Sequence, residues 1–493
     1  MRVITKSHLE NFTEKLLRND KKLNDGVKNE LLEKTKYNIV KIVDFKDKLA
    51  NDDWAVVLNY MISEGYRNIE IPSGQYEFKT PVYMVDGLRI TGQYGKGFNE
   101  AYKTTIVVTT TAFTFKDEEV QHNEITIENI LFKQGESVID FGLCHCVSVR
   151  KCSFIDFSKN GIILTRGERL SFEDIDFWSK SVNFDKAFCF ADKSESTLSS
   201  IRNMTGTMDD DEWVDRITIN NVVAMKGTAN RFNSFIHVGG ILSNATLSNI
   251  TGHGGKSSYF YAKRVQLSSL NTWVIDDWGS ASNPCEKLIY IHTIKDSNIN
   301  NISPAFSANS YCNTQFYIDT TVDTVIQNSY STGDNVSTFG FKVGANAGQM
   351  LTMIGCRGAF FSESTSELHR TQIAFIGCHF DVTNCYNLSL PCRDTEEVHN
   401  FMSDRTGEVE TNTDVGVRYI RTDGAGAIRN FFRILLDRII IGHNGSQIIS
   451  GKGSPEGVVT ACVGSMYLDT EGSTGSTLYV KETGEGNTGW ISK

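Results

Sequence analysis

A six-residue pattern, apolar-x-apolar-polar-polar-apolar, recurs from residue 125 onward and restricts the fold more than any other feature of the chain. It reads Ile125-Thr-Ile-Glu-Asn-Ile130, Val147-Ser-Val-Arg-Lys-Cys152, Leu170-Ser-Phe-Glu-Asp-Ile175, Ile217-Thr-Ile-Asn-Asn-Val222, Ala245-Thr-Leu-Ser-Asn-Ile250 and Val265-Gln-Leu-Ser-Ser-Leu270. Degenerate copies start at Ser297, Thr324, Leu351 and Ile373. Successive starts lie 22, 23, 47, 28, 20, 32, 27, 27 and 22 residues apart. The step of 47 reads as two turns, with Ser199-Ser-Ile-Arg-Asn-Met204 as the hidden copy. Short alternating strands at this period, without helical segments between them, mark a β-solenoid of about ten turns. Each turn leaves apolar side chains uncovered until the next one stacks on it. The variable steps place insertions in loops on one face or edge.

Composition agrees with this reading. Among 493 residues there are 6 Pro, 41 Gly and 37 Asn, which suits short strands and tight turns better than several linked domains. Asn129, Asn221, Asn249, Asn301 and Asn328 share the fifth template position, where an Asn ladder can satisfy turn backbone. Cys152, Cys356 and Cys378 share the sixth, an inward stack of small apolar groups. The 11 Cys are odd in number and lack paired spacing, which points to reduced thiols in a protein made in a cytosol. Cys144-His145-Cys146 is half a metal motif with no second half. The net charge of −10 excludes a polyanion-wrapping nucleic-acid binder. No apolar stretch suits a signal core or a membrane span, so neither export nor membrane insertion is expected.

The flanks differ from the repeat. Residues 1–50 carry 12 basic and 8 acidic side chains, so the acidic excess lies entirely beyond them. Leu9, Phe12, Leu16, Leu23 and Val27 have amphipathic-helix spacing, interrupted by Gly26. Residues 43–65 read as a second helix with Gly65 as its stop. Ile69-Glu-Ile-Pro-Ser-Gly-Gln-Tyr-Glu-Phe78 follows as strand, turn and strand. After residue 395 the repeat fades, and the Gly-punctuated tail from 453 reads as a small β module.

Three features together resemble bacteriophage tailspike or tail-fibre depolymerases of the pectate-lyase-like β-helix superfamily. They are the 69–78 segment after a capping helix, the rungs at 125–380, and the tail Gly464-Ser-Met-Tyr-Leu-Asp-Thr…Leu478-Tyr-Val-Lys-Glu…Thr488-Gly-Trp490. They cover about 43–380 and 453–493. The resemblance implies an all-β, right-handed parallel β-helix with short N-terminal helices. It also implies a homotrimer in the virion that contacts phage baseplate or tail proteins and acts on a bacterial cell-surface polysaccharide or teichoic acid. Phage particles leave by lysis, which fits the absent signal peptide. The implied organisation is 1–42 for virion attachment and self-association, 43–124 for the capping helix and first turns, 125–395 for rungs with a substrate groove, 396–452 as a transition, and 453–493 as the C-terminal module. Residues 1–40 are too short for the large head-binding domains of some such proteins.

Fold does not settle function, so a site must come from residues. The largest insertion, 176–216, ends in Asp209, Asp210, Asp211, Glu212, Trp213 and Asp215. A glycosidase needs a carboxylic acid, a carboxylate and an aromatic plane, and this run holds all three residue types. It is also the one candidate Ca²⁺ or Mg²⁺ site, which would suit a phosphodiesterase; otherwise no cofactor is expected. The run is equally readable as a solvated acidic loop. Asp276 and Asp277 lie between Trp273 and Trp278 as a second acid pair. Trp178, His253 and Trp273 sit eight residues after their template starts, which suggests one groove face; either Trp could instead be core. His253, Tyr259, Tyr261, Lys263 and Arg264 hold the residue types of a lyase base and its enolate-stabilising cation. His237, before Val238-Gly239-Gly240, reads as packed. The leading reading is a depolymerase, with hydrolysis ahead of β-elimination. The alternatives are a non-catalytic receptor-binding spike and a cell-surface adhesin.

Overall fold

The computed structural model describes residues 38–97, 102–226, 232–276, 278–280, 282–304, 311–330, 336–344, 351–358, 360–362, 373–376, 379–380, 420–421, 433–434, 438–440, 446–484 and 486–493. The expected helix at 1–37 and Cys378 lie outside these residues, as does most of 396–437. The chain divides into two units, Met1–Pro391 and Cys392–Lys493.

The first unit is a right-handed parallel β-helix. Its template strands stack in one inward column, Val40, Ile69, Ile90, Ile127, Val149, Phe172, Ile219, Leu247, Leu270, Ile299, Ile326 and Met353, and strand Ile373–Ile376 pairs onto the last of them. Among the described residues ten layers lie from Ile127 onward, as the repeat predicts, and the layers of Val40, Ile69 and Ile90 precede them. Most turns add strands to two further faces. The second has Ile106, Phe132, Phe154, Phe177, Ala224, Gly252 and Ile275 as its column. The third has Phe113, Ile139, Ile162, Phe188, Ile236, Phe260, Ile289, Phe316 and Phe341. The rings of Phe132, Phe154 and Phe177 stack at 5.0 and 4.9 Å, close to the spacing of neighbouring strands.

The template has a backbone cause. Its fifth position is a left-handed corner: Asn129, Lys151, Asp174, Asn221, Asn249, Thr272, Asn301 and Asn328 have φ between 48 and 60°. The position just before the template is another, from Glu124 and Cys146 through Asn244, Asp296 and Asp323, with φ between 44 and 62°. Each short strand is thus bracketed by two left-handed residues, a conformation that Asn and Asp tolerate better than branched side chains. At the first template position, hydroxyls close the corner. Ser268 Oγ accepts the Ala245 N–H at 3.0 Å and donates to the Gln266 carbonyl, and Ser297 repeats both bonds one rung on.

Two sequence readings change. The copy assigned to Val265 is displaced: Leu247 pairs with Leu270 and Ile250 with Trp273, so that copy runs from Ser268 to Trp273. The step of 47 is a single turn, because Leu170 pairs directly with Ile217. Ser199–Arg202 is a short helix within that turn's insertion. A propensity pattern of six residues cannot by itself distinguish a shifted or chance copy from a stacked one.

Helix Trp54–Ser63 closes the N-terminal end of the core with Ala55, Val57, Leu58, Met61 and Ile62. The span expected as one helix is two, a 3₁₀ helix at Ile42–Lys48 and then this helix, which Asp53 caps. That carboxylate accepts the Ala55 N–H, and also the Lys79 N–H and the Thr80 hydroxyl. Among the described residues no helix is long and apolar enough to cross a membrane. In the second unit, Arg438–Ile440, Gln447–Gly451, Met466–Asp469, Leu478–Lys481 and Trp490–Ser492 form a five-stranded sheet. Tyr467 and Trp490 are buried against it, and Glu456 accepts the Gly489 and Trp490 N–H groups.

The corners predict a substitution series. Asn301→Val should lower stability by about 1–2 kcal/mol, because a β-branched residue resists positive φ, while Asn301→Gly should be nearly neutral. Urea midpoints for the three proteins test this. A Val variant as stable as the parent would remove the corner explanation.

Candidate functional site

The aromatic residues expected to line a groove divide between core and surface. Tyr259, Trp273 and Trp278 are fully buried, so they cannot form a sugar platform. Trp273 occupies the inward sixth template position. Tyr259 and Trp278 enter the core because glycines leave them room: a Cβ on Gly252 or Gly255 would lie 2.1 Å from the Tyr259 or Trp278 ring. Trp178, Met225, His253 and Asp276 do share one outward column on the second face. There His253 Nδ1 is 3.7 Å from Asp276, and Lys180 lies over the Trp178 ring. Asp277 lies outside the described residues.

The acids at 209–215 do not converge. Asp211 is buried, with Lys193 at 3.3 Å and Arg166 at 3.7 Å. Asp210 forms a capping box with Thr207. Glu212 accepts the Lys193 N–H at 3.0 Å. Asp215 takes Arg216 at 3.0 Å and Asn244 at 2.6 Å. Asp209, 64% exposed, reaches Arg264 at 2.8 Å. Half-buried Trp213 meets His145 at an angle, and Lys263 is exposed. Among the described residues no three His, Cys, Asp or Glu side chains are grouped to hold a metal ion, so the Ca²⁺ or Mg²⁺ expectation has no ligand set. These acids fasten the insertion instead. Its other anchor is fully buried Asp140, which accepts from Ser196 Oγ, the Thr197 N–H and hydroxyl, and the Gly142 N–H. Burial raises this carboxyl even against those four hydrogen bonds.

The insertion delivers Asp192 to the third face. Strands Ser234–Ser243, Phe260–Gln266, Cys285–Lys295, Cys312–Val322 and Val336–Val343 stack there in parallel. Their outward residues form a column of His237, Tyr261, Tyr290, Tyr317 and Lys342, one per rung. Two positions further along the strands lie Gly239, Lys263, His292, Asp319 and Gly344. A bulge falls at Gly239-Gly240. A Cβ on Gly239 would lie 2.6 Å from the Asp192 Cβ, and one on Gly240 would lie 2.1 Å from the Glu212 carbonyl oxygen, so only glycines admit the insertion here.

Two histidine–carboxylate pairs flank Tyr261. His237 Nε2 donates to Asp192 at 3.1 Å, and the His237 ring stacks on Tyr261 at 4.7 Å. On the other side Tyr261 Oη is 3.3 Å from His292 Nε2, and His292 Nδ1 is 2.7 Å from Asp319. Tyr290 Oη donates to Asp319 at 3.2 Å. Burial, then the charges of Asp192 and Asp319, push the Tyr261 hydroxyl up, so it holds its proton. Burial alone would raise Asp192. The hydrogen bonds from His237 and Ser194, with the imidazole charge, outweigh it and hold the carboxyl at about 2.

Sequence reasoning singled out Tyr261 but missed Asp192, Tyr290, His292, Tyr317 and Asp319, and took His237 as packed. A signal existed: Tyr261, Tyr290 and Tyr317 are 29 and 27 residues apart, the local rung length.

No protein-family model and no curated protein matches the sequence. Solved structures do. PfbA, a surface adhesin of Streptococcus pneumoniae, is similar with TM-score 0.49 and 11% identity, over 71% of this chain and 90% of that one. Tailspike protein 3 of bacteriophage CBA120 is similar with TM-score 0.37 and 11% identity, over 94% of this chain and 70% of that one. The catalytic domain of a GH87 α-1,3-glucanase in complex with nigerose gives 0.23 and 10%, over 67% of each chain. These are likenesses of fold.

The Asp192–His237 pair predicts a pH dependence. A carboxyl held at about 2, below its ordinary value near 4, stabilises the fold above pH ~4 and loses that contribution as pH falls toward 2. The stability gap between the parent and Asp192→Asn should therefore be full at pH 6 and close between about pH 4 and 2. Urea titrations across that range test it; a gap constant with pH would contradict the pairing.

Proposed function

We propose that this chain binds a bacterial surface polysaccharide or teichoic-acid-like polymer lengthwise along the third face and cleaves it, as part of a phage tail spike. The observation that carries the reading is the outward ladder from His237 to Lys342. It spans four strand steps, about 19 Å, long enough for several sugar units. Its central phenol stands between two oriented imidazoles.

The proposed chemistry uses those three groups. Tyr261, which keeps its proton, donates it to the departing glycosidic oxygen. His292 returns a proton through Nε2, and Asp319 steadies the imidazolium. His237, oriented by ionised Asp192 through Nε2, is the base on the other side in its neutral form, taking a proton from water through Nδ1 in hydrolysis. The same base would act on a carbon-bound proton in β-elimination. The virion location and a trimeric assembly belong to this proposal.

A second reading, a spike that grips the polymer without cutting it, is favoured by one observation. Asp192 and Asp319 stand four strand steps apart, about 19 Å, which is too far for two carboxylates to act on one bond.

Incubation with host polymer separates the readings. Hydrolysis produces shorter chains with new reducing ends, elimination adds the ultraviolet absorbance of an unsaturated uronate, and a pure binder leaves polymer length unchanged. Tyr261→Phe and His292→Ala should each lower cleavage by about 10²–10⁴-fold while polymer binding persists. Full cleavage by both variants would remove this site assignment.

A further inference from the structure

The far end of the same ladder carries a feature that the proposed chemistry does not use. Lys287 lies on the rung of Tyr290, and its ammonium sits 3.8 Å from the Tyr290 ring centroid and 3.9 Å from that of Tyr317. Lys342, one rung beyond Tyr317, reaches the Tyr317 ring as well, at 5.2 Å. Among the described residues no carboxylate lies within ion-pair distance of Lys287. The nearby acid, Asp319, is already engaged by His292 and Tyr290.

We propose that Lys287, clamped between Tyr290 and Tyr317 with Lys342 beside it, is an anion subsite, and that the polymer on this face carries regularly placed carboxylate or phosphate groups. Aromatic faces hold an ammonium and strip part of its water, but they contribute only a quadrupole attraction and leave its charge in place. A half-buried, fixed and un-neutralised cation is costly to the free protein and ready for an anion. The rings on both sides limit its rotamers, so little ordering remains to be done when a ligand arrives. The chain as a whole is net −10, which repels an acidic polymer, and here Lys287 and Lys342 bring two ammonium groups to the one Tyr317 ring. Lys287 lies on the same strand as His292 and one rung from Tyr261. An anionic group seated there places a neighbouring sugar linkage over those residues.

This inference rests on the polymer-binding reading above, and binding can be measured separately from cleavage. The full chain carrying His292→Ala is titrated with polygalacturonate, with poly(glycerol phosphate) and with neutral dextran, at low and high salt. Binding of an acidic polymer, weakened by salt, with dextran unbound, is expected; the two acidic arms tell carboxylate from phosphate. Adding Lys287→Met should weaken that binding by roughly tenfold or more, and Lys342→Met by less. Unchanged circular dichroism and thermal midpoint show that the Met variants remain folded. Equal binding by the Lys287→Met protein, dextran bound as tightly as the acidic polymers, or no binding of either acidic polymer overturns the subsite. Acidic polymer bound through Lys287 but never shortened by the parent chain leaves the subsite standing and removes only the cleavage reading.

Discussion

Every turn of the β-helix must lie in register with the next, because each strand takes its backbone partners from the turns above and below it. That requirement turns sequence position into a spatial column. A residue type repeated once per turn becomes a stack, whether it is the inward Ile and Phe ladders or the left-handed corners that carry Asn. The corners matter as much as the core. They bend the chain between faces at φ near 50°, and the hydroxyls of Ser268 and Ser297 satisfy backbone N–H groups there that parallel pairing would leave open. Scarce Pro has the same cause, since an interior strand needs its N–H.

The one long insertion obeys the constraint by leaving the register undisturbed. Strand Arg166–Ser179 pairs with Trp213–Lys226 as though the intervening residues were absent. The insertion is then tied down by charge. Asp211 with Lys193 and Arg166, Asp209 with Arg264, and buried Asp140 with Ser196 and Thr197 hold it. Removing one partner from such a buried group leaves the other uncompensated.

The third face shows how stacking builds a site. No two members of the His237, Tyr261, His292 and Asp319 set lie close in sequence, yet consecutive rungs bring them within hydrogen-bonding or stacking distance. The pairing also separates chemical roles: a phenol kept protonated by burial beside a carboxylate kept ionised by its imidazole. Further along, Lys287 sits between the Tyr290 and Tyr317 rings.

The sequence alone determined the solenoid, its period, the capping helix and the turn preference of Asn, because each depends on residue type at short separation. It also placed Trp178 and His253 on one face, but grouped them with Trp273, which is core, where the column continues to Asp276. It misplaced Tyr259, Trp273 and Trp278, since whether an aromatic ring turns inward depends on the space left by Gly252 and Gly255 on neighbouring strands. It assigned chemistry to the densest acids, because composition does not reveal that each acid already faces its own Lys, Arg or backbone N–H. The candidate site was decided by tertiary structure. A rung-to-rung contact is about 4.8 Å in space but 24 to 31 residues along the chain, and only the register says which residues meet.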